Sequence, residues 1–268
     1  MRTVIIVPAR FASKRYPGKP LVEIMLPNGQ KKTLIELSWL AAKRVSNVQA
    51  VYVATDDIRI RDVAIAFGAQ VIMTENGCAN GTERCADAVA KAQIKADLII
   101  NLQGDAPLTP HWFVEDLIKA MENDPLADMA TPVLRLDRVT YSHFTQDRHQ
   151  GSVGGTTAVF NKNMHALYFS KEVIPFMDLD KWPITKELPV YHHVGVYAYR
   201  PKALANYISW PEGTLERLEG LEQLRFLENG DTIKCVEVDG KGRVFWELNN
   251  PQDVARIEQV INQIMEDI

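Results

Sequence analysis

The first half of the chain alternates short, continuous apolar runs with segments of helical periodicity. The apolar runs predict strands at residues 4–7, 50–54, 71–73 and 98–102. The periodic segments predict helices that begin at Thr33, after Asp57 and at Thr82, and the second of them extends to about Phe67. Because the strand runs are continuous rather than alternating, both faces of each strand must be covered. The pattern predicts an α/β fold with a mostly parallel sheet and helices on both faces.

The pattern changes from about residue 126 onwards. Strands are predicted at 129–134, 156–160, 166–170 and 194–199, with polar or Pro-containing loops at 137–155 and 176–189. Asn229-Gly230 would end a helix at 215–228, and Pro251 would open a last helix that starts at Asn250. These features indicate an antiparallel or mixed extension of the sheet. The runs at 166–170 and 194–199 are apolar on both faces, so we expect a homodimer through this region.

Composition narrows the class of protein. Apolar residues make up 46% and charged residues 24% of the 268 residues, as in globular proteins. The net charge of −4 argues against a general nucleic-acid or membrane-surface binder. Three cysteines without a CxxC pair suit a reducing compartment, and no apolar run is long enough for a signal peptide or a membrane span. We therefore expect a soluble cytoplasmic protein.

A basic loop follows the first predicted strand, where ligands bind in open parallel sheets. Residues 1–22 carry five basic side chains and no acidic one. Such a loop could simply be solvated, but Gly18 and three prolines give it a defined shape. A rigid loop with Arg and Lys side chains suits a triphosphate. The loop matches neither GxGxxG nor GxxxxGK[ST], so hydride transfer and P-loop hydrolysis lose support.

A carboxylate follows the strand at 98–102, within Gln103-Gly104-Asp105. Asp105 could hold Mg²⁺ on a phosphate, or it could be a turn-forming residue only. With the basic loop at the same sheet edge, the metal-binding interpretation gains weight.

Seven motifs then occur in family order: PARxxSxRxPGKP at 8–20, ATDD at 54–57, NGTER at 80–84, QGDAP at 103–107, ALYFS at 166–170, HVGVYAYR at 193–200 and LEQLRFLENG at 221–230. Across nearly its whole length the chain resembles the 3-deoxy-manno-octulosonate (Kdo) cytidylyltransferases, or CMP-Kdo synthetases. The resemblance implies a single nucleotidyltransferase domain over 1–268, with an inserted sugar-binding and dimerisation lobe at about 137–200. It also implies an enzyme that joins CTP to Kdo with Mg²⁺ and releases pyrophosphate, for lipopolysaccharide or capsule synthesis.

The resemblance also assigns roles to matching residues. Four would hold the triphosphate: Arg10, Ser13, Arg15 and Lys19. Four would line the cytosine pocket: Asn80, Gly81, Thr82 and Gln103. Four would face the sugar acid: Lys171, His193, Glu222 and Gln223. Asp105 would bind the metal, Asn249 would occupy a second metal position, and Arg15, Lys19 and Asp105 would be catalytic.

Each assignment has a structural alternative. Asn80 and Thr82 could be helix caps, and Asn249 could merely precede the cap of the last helix. His193 could be a core histidine with its hydrogen bonds satisfied. Glu222 and Gln223 could be ordinary exposed residues of a helix.

Four positions depart from the family motifs: Ala106, Thr157, Lys171 and Asn249. Thr157 replaces a lysine, Lys171 replaces an arginine and loses its bidentate fork, and Asn249 replaces a metal-binding aspartate. These changes leave open a cytidylyltransferase for another acid, such as amino-Kdo, a nonulosonic acid or a phosphonate. A non-catalytic CTP-binding protein is the alternative from a different class.

Overall fold

The computed structural model describes residues 1–12, 16–153, 155–242, 248 and 250–263. The strands are β1 (Thr3–Ala9), β2 (Glu23–Met25), β3 (Lys31–Thr33), β4 (Ala50–Thr55), β5 (Gln70–Met73), β6 (Leu98–Leu102), β7 (Met129–Arg135), β8 (Thr156–Phe160), β9 (Ala166–Ser170), β10 (Tyr191–His193), β11 (Val196–Tyr199) and β12 (Ile233–Glu237). The helices are α1 (Leu34–Lys43), α2 (Ile58–Ala66), α3 (Gly81–Lys91), α4 (His111–Asn123), α5 (Arg138–His149), α6 (Pro201–Tyr207), α7 (Thr214–Glu219), α8 (Leu224–Glu228) and α9 (Asp253–Gln263).

One mixed sheet contains ten of these strands. Its order is β5-β4-β1-β6-β11-β7-β10-β8-β9, and β12 pairs with β7. The strands β5, β4, β1 and β6 are parallel to one another. Strands β11, β10, β8 and β9 run antiparallel to the neighbours with which they pair. The predicted α/β class and the mixed extension are confirmed.

The central strands are apolar throughout because the sheet is covered on both faces. All seven residues of β1 and all five of β6 are buried. Side chains that alternate along these strands enter two separate core clusters, Ile6 and Ile99 in one and Ile5 and Ile100 in the other. Two cores on opposite faces are what the continuous apolar runs predict.

The predicted loop at 137–155 is wrong, since most of it forms α5. Asp137 caps this helix, and its side chain accepts a hydrogen bond from the Thr140 backbone N–H. Only Tyr141 and Phe144 are buried along α5. Two apolar contacts in twelve residues leave little periodicity to read, so tertiary packing decides the helix.

Three other predictions are wrong in detail. The strand predicted at 194–199 begins only at Val196, as β11, and the helix predicted at 215–228 is divided into α7 and α8. Gly220 ends α7 with a φ of +62°, a left-handed conformation that breaks the helix and that glycine tolerates. The last helix also begins at Asp253, three residues later than predicted.

Strand β11 also corrects the argument for a dimer. It is apolar on both faces because it lies between β6 and β7 inside the sheet of a single chain. Strand β9 does lie at the sheet edge, with the Leu167 side chain 62% exposed. Strands β8, β9 and β10 continue the same sheet, and the inserted lobe at about 137–200 stays a prediction. No helix within the described residues is long and apolar enough to cross a membrane.

Candidate active site

The carboxyl ends of β1, β4 and β6 meet at one edge of the sheet because these strands are parallel and adjacent. The segments that leave this edge are the basic loop after β1, the Asp56-Asp57 turn after β4 and the Gln103–Pro107 segment after β6. This is the edge where ligands bind in open α/β sheets. It carries basic, acidic and amide side chains together.

The basic loop is closed by its own backbone. Gly18 has a φ of +72°, and its N–H donates to the Phe11 carbonyl at 2.9 Å. Arg10 Nη1 donates to the Ala79 carbonyl at 3.0 Å, which links the loop to the segment before α3. Lys19 opens a short 3₁₀ turn. Two of the predicted triphosphate residues, Ser13 and Arg15, lie outside the described residues.

Lys19 and Asp105 form an ion pair at this edge, with 2.5 Å between Nζ and Oδ2. The segment after β6 can lie this close to the end of β1 because residue 104 is glycine. A Cβ at this position would lie 2.6 Å from the Pro8 carbonyl oxygen. The Ser38 hydroxyl donates to the Gly104 carbonyl at 3.0 Å and holds the turn. The side chains of Lys19 and Asp105 are 14% and 28% exposed, so both can be reached by a ligand.

Asp105 is the described carboxylate beside the basic loop, whereas Asp56 and Asp57 at the same edge are paired with Arg84 and Arg59. No cluster of three His, Cys, Asp or Glu side chains suited to a metal occurs among the described residues. Asp105 fits Mg²⁺, which is commonly bound through one or two carboxylates with substrate phosphates and water completing its shell. The second predicted metal ligand, Asn249, lies outside the described residues.

Asn80 is a helix cap, which was the alternative to a role in the cytosine pocket. Its Oδ1 accepts from the Glu83 N–H at 2.8 Å, and its Nδ2 donates to the Tyr207 hydroxyl at 2.8 Å. Thr82 is not a cap. Its hydroxyl is fully buried and lies 2.7 Å from the Tyr199 hydroxyl, so its side chain is not open to a ligand in this structure.

Gly81 lies against the Gln103 side chain. A Cβ at residue 81 would be 3.1 Å from both terminal atoms of Gln103. Any residue other than glycine would therefore displace the Gln103 amide. Gln103 Nε2 is 3.4 Å from Glu222 Oε1, and Glu222 Oε2 accepts from the Thr82 N–H at 3.1 Å. Burial raises the pKa of the Glu222 carboxyl above its ordinary value. Gln103, Glu222 and the start of α3 therefore form one group.

The interpretation of Glu222 and Gln223 as exposed helical residues is wrong. Both lie in the turn between α7 and α8, where Glu222 is half-buried and Gln223 only 1% exposed. The Tyr197 hydroxyl donates to Gln223 Oε1 at 3.2 Å. Lys171 lies beside the same turn, because a Cβ at Gly220 would be 3.0 Å from its Nζ. The structure thus brings three of the four predicted sugar-acid residues together.

His193 is a buried histidine with a hydrogen bond, which was the alternative to direct contact with the sugar acid. Its Nε2 lies 2.9 Å from the Thr131 hydroxyl, and its ring centroid lies 5.7 Å from that of Tyr197. Burial, with a smaller contribution from His192, lowers the pKa of His193 to about 3. The imidazole is therefore neutral at physiological pH. Through Tyr197 it is connected to the Gln223 end of the site.

Lowering the pH from 7 to 5 is expected to destabilise the protein partly through His193. The unfolded chain takes up a proton near pH 6.5 that the folded chain takes up only near pH 3. Stability therefore falls as the pH falls through this window, with a slope that approaches about 1.4 kcal/mol per pH unit for this residue. Urea unfolding of wild type and His193→Gln at both pH values measures the effect.

In that experiment, His193→Gln should lose less stability on acidification than the wild type. His149→Gln is the matched control, since His149 is exposed at the end of α5. The same loss in wild type and His193→Gln would contradict the assignment of this pH dependence to His193.

Sequence reasoning missed two polar groups of this region. Tyr197 lies directly opposite Asn101 in the antiparallel pairing of β11 with β6. Asn101 is the single polar residue of an otherwise apolar strand, which was an available signal. The role of Tyr197 depends on the strand order and had no signal in sequence.

A cavity of about 700 Å³ adjoins the site. Its lining includes Asn80 and Glu222 but neither Lys19 nor Asp105. Its wall carries six carboxylates, from Glu75, Glu83, Asp87, Glu212, Glu216 and Glu222, and the Arg225 guanidinium. An acidic wall disfavours a polyanionic ligand in this cavity, whereas the Lys19 end of the site carries basic side chains.

The chain is similar to known proteins over nearly its whole length. A cytidylyltransferase family model matches residues 4–233. A 3-deoxy-manno-octulosonate cytidylyltransferase of Maricaulis maris is 43% identical over 97% of both chains, and one of Chlamydia abortus is 37% identical over 97% of this chain and 94% of its own. A solved structure of a CMP:2-keto-3-deoxy-manno-octonic acid synthetase complexed with CTP superposes over the whole of both chains, with a TM-score of 0.82 and 33% identity.

Proposed function

The chain belongs to the 3-deoxy-manno-octulosonate cytidylyltransferase family, and from this premise we propose how its residues carry out the reaction. It is a nucleotidyltransferase that joins CTP to Kdo and releases pyrophosphate. The observation that carries the proposal is the Lys19–Asp105 ion pair at the carboxyl ends of β1 and β6, with Arg10 directly after β1. Basic groups for phosphates and a carboxylate for a divalent cation are the groups that this chemistry needs.

The reaction is an in-line displacement at the α-phosphorus. The anomeric hydroxyl oxygen of Kdo forms a bond to that phosphorus, the bond to the β-phosphate breaks, and the hydroxyl proton passes to solvent. Lys19 and Arg10 position the triphosphate and neutralise its charge, aided by Ser13 and Arg15 as the family resemblance implies. Mg²⁺, held by Asp105 and on the same resemblance by Asn249, would neutralise charge on the phosphates.

The acceptor end follows from the α7–α8 turn. Lys171, Glu222 and Gln223 lie there, and His193 is reached through Tyr197. Gln103, which the family resemblance assigns to the cytosine pocket, lies 3.4 Å from Glu222, so we propose that it serves the acceptor end instead. We propose that these groups bind the sugar acid, with the Lys171 ammonium suited to its carboxylate. Asn80 and Gly81 are proposed to flank the cytosine through their backbone, since the Asn80 side chain caps α3.

Pyrophosphate release from CTP tests the function. The assay is run with Kdo, amino-Kdo, a nonulosonic acid and a phosphonate in parallel, and with UTP and ATP as control nucleotides. We expect the highest kcat/KM for CTP with Kdo. A preference for another acid would favour the second candidate, and CTP binding without turnover on any acid would identify a nucleotide-binding protein.

We further propose a homodimer through the face that carries β9. Strand β9 lies at the sheet edge with Leu167 62% exposed, and Phe176 and Ile184 in the segment that follows it are 93% and 84% exposed. Light scattering at micromolar concentration should give twice the chain mass for wild type and a monomer for Leu167→Asp. Ile65→Asp, on α2 near the opposite sheet edge, is the matched control. A monomeric wild type would contradict this proposal.

A cytoplasmic location and a role in lipopolysaccharide or capsule synthesis are also proposed. All three cysteines are free thiols, which suits a reducing compartment. The product, a nucleotide-activated sugar acid, is of the class that glycosyl transfer consumes.

A further inference from the structure

Asn101 is a buried polar residue with unused hydrogen-bonding capacity. It lies in β6 at 0% exposure, and neither its Nδ2 nor its Oδ1 has a hydrogen-bond partner among the described residues. Buried amides are nearly always paired, and each unsatisfied polar group lowers stability. Such a residue in a strand of otherwise apolar side chains requires an explanation.

The position of Asn101 connects it to the acceptor end of the site. The point that a Cβ on Gly81 would occupy is 3.3 Å from Asn101 Nδ2 and 3.1 Å from both terminal atoms of Gln103. Asn101 lies in β6 and Gln103 directly follows this strand. Because they are two residues apart along the strand direction, both side chains point to the same face of the sheet. The Asn101 amide and the Gln103 amide therefore converge beside the start of α3.

The Gln103 amide is weakly held in this structure. Among the described residues its side chain makes one hydrogen bond, from Nε2 to Glu222 Oε1 at 3.4 Å, near the distance limit for a hydrogen bond. A second orphaned donor lies nearby, because Gln223 Nε2 is buried without a hydrogen-bond partner in the described part of the chain. Its Oε1 accepts from Tyr197, the residue opposite Asn101 in the sheet. The donors in excess suit a ligand rich in acceptor oxygens.

We propose that Asn101 is a positioning residue for the acceptor sugar acid and acts through the Gln103 amide. When the acceptor binds, Asn101 Nδ2 donates to Gln103 Oε1 and directs Gln103 Nε2 towards an oxygen of the acceptor. This inference rests on the proposed function of the site. It explains why a polar side chain that lowers stability lies in the centre of the sheet.

An apolar residue of similar size at 101 separates this role from a structural one. Asn101→Leu removes the orphaned amide, so the unfolding midpoint should rise by about 2–4 °C. The KM for Kdo should rise about tenfold, since a hydrogen bond that orients the acceptor is lost, while the KM for CTP stays within about twofold. Pyrophosphate release and thermal unfolding measure the three quantities.

Thr3→Val is the matched control. Thr3 is 1% exposed at the amino end of β1, and its Oγ1 is likewise without a hydrogen-bond partner among the described residues. It pairs with Leu98, at the end of β6 remote from the site. This variant should also raise the unfolding midpoint but leave both KM values unchanged.

A double variant tests the route through Gln103. On a Gln103→Leu background, Asn101→Leu should add little to the KM for Kdo, because the two residues act as one unit. An unchanged KM for Kdo in Asn101→Leu would overturn the proposal, and so would an equal rise in both KM values, a fall in the unfolding midpoint, or independent effects in the double variant. Failure of the wild type to use Kdo would instead overturn the proposed function, so the two failures are distinguishable.

Discussion

An Asp105→Ala variant is expected to release pyrophosphate about 10³-fold more slowly than the wild type. A catalytic divalent ion stabilises the transition state by several kcal/mol, and about 1.4 kcal/mol corresponds to a tenfold change in rate. The structure gives this carboxylate a single described partner, the Lys19 ammonium at 2.5 Å. Loss of Asp105 removes the proposed metal ligand but leaves Lys19 in place. The variant should therefore separate nucleotide binding from turnover.

CTP binding in the absence of metal can be measured separately from turnover. If Lys19 binds the triphosphate as proposed, it exchanges Asp105 for a phosphate when the nucleotide binds to the wild type. In Asp105→Ala that exchange is unnecessary, so calorimetry in the presence of a chelator should give a CTP affinity equal to or tighter than that of the wild type. Lys19→Met should show the opposite change, a weaker CTP affinity.

Asp97→Ala is the matched control for Asp105→Ala. Asp97 directly precedes β6, and its carboxylate pairs with Arg2 at 3.0 Å at the amino end of the sheet. This variant should turn over at the wild-type rate. An Asp105→Ala rate within tenfold of wild type would remove Asp105 from the reaction.

The place of the site could be predicted from the sequence, because it depends on local patterns. Continuous apolar runs indicate parallel strands, and ligands bind where such strands end. The segments after β1 and β6 were therefore the ones that mattered. The contact that joins them was not visible: Gly104 was recognised as part of a turn, but only the structure shows that any side chain there would meet the Pro8 carbonyl.

The burial of one half of the candidate site could not be predicted, because it depends on the strand order, although the family resemblance assigns His193 and Gln223 to the sugar acid. Thr131, His193, Tyr197 and Gln223 are far apart in sequence and meet only because β11 lies between β6 and β7. A sequence pattern cannot separate a buried polar residue from an exposed one without that order. This is why Gln223, which is expected to face the sugar acid, kept the alternative of an exposed helical residue until the structure showed it to be buried.

Helix α5 is a second case in which the sequence pattern alone was misleading. Its residues are polar enough to be read as a loop, yet Tyr141 and Phe144 pack with Leu188 and Val190 in a small cluster of their own. The contacts that stabilise α5 come from residues about forty positions later in the chain. Local propensity alone is a weak guide in such a case.

The turn that carries Glu222 and Gln223 is held by a buried ion pair, Glu216 with Arg225. Arg225 Nε and Nη2 donate to the two Glu216 oxygens at 2.6 and 2.8 Å, and the side chains are each 6% exposed. The Tyr207 hydroxyl donates to Glu216 Oε1 at 3.1 Å, and the Arg225 guanidinium lies 4.0 Å from the centroid of the Tyr207 ring. The pair thus ties α7 to α8 and α6.

Glu216→Gln is expected to lower the free energy of unfolding by about 3–5 kcal/mol, because it leaves the Arg225 charge buried without its main partner. Glu83, 3.3 Å from Arg225 Nη1, offers only partial compensation. Urea unfolding measures the loss. Asp178→Ala, which breaks an exposed pair with Lys181, is the control and should cost less than about 1 kcal/mol.

A double variant shows whether the loss comes from the unpaired charge. Glu216→Leu with Arg225→Met replaces both charges by apolar side chains, and it should recover most of the stability that Glu216→Gln loses. Because the pair supports the turn that carries Glu222 and Gln223, Glu216→Gln should also raise the KM for the sugar acid more than that for CTP, even well below its unfolding midpoint. A Glu216→Gln protein within about 1 kcal/mol of wild type would show that the pair stabilises little, as exposed pairs do.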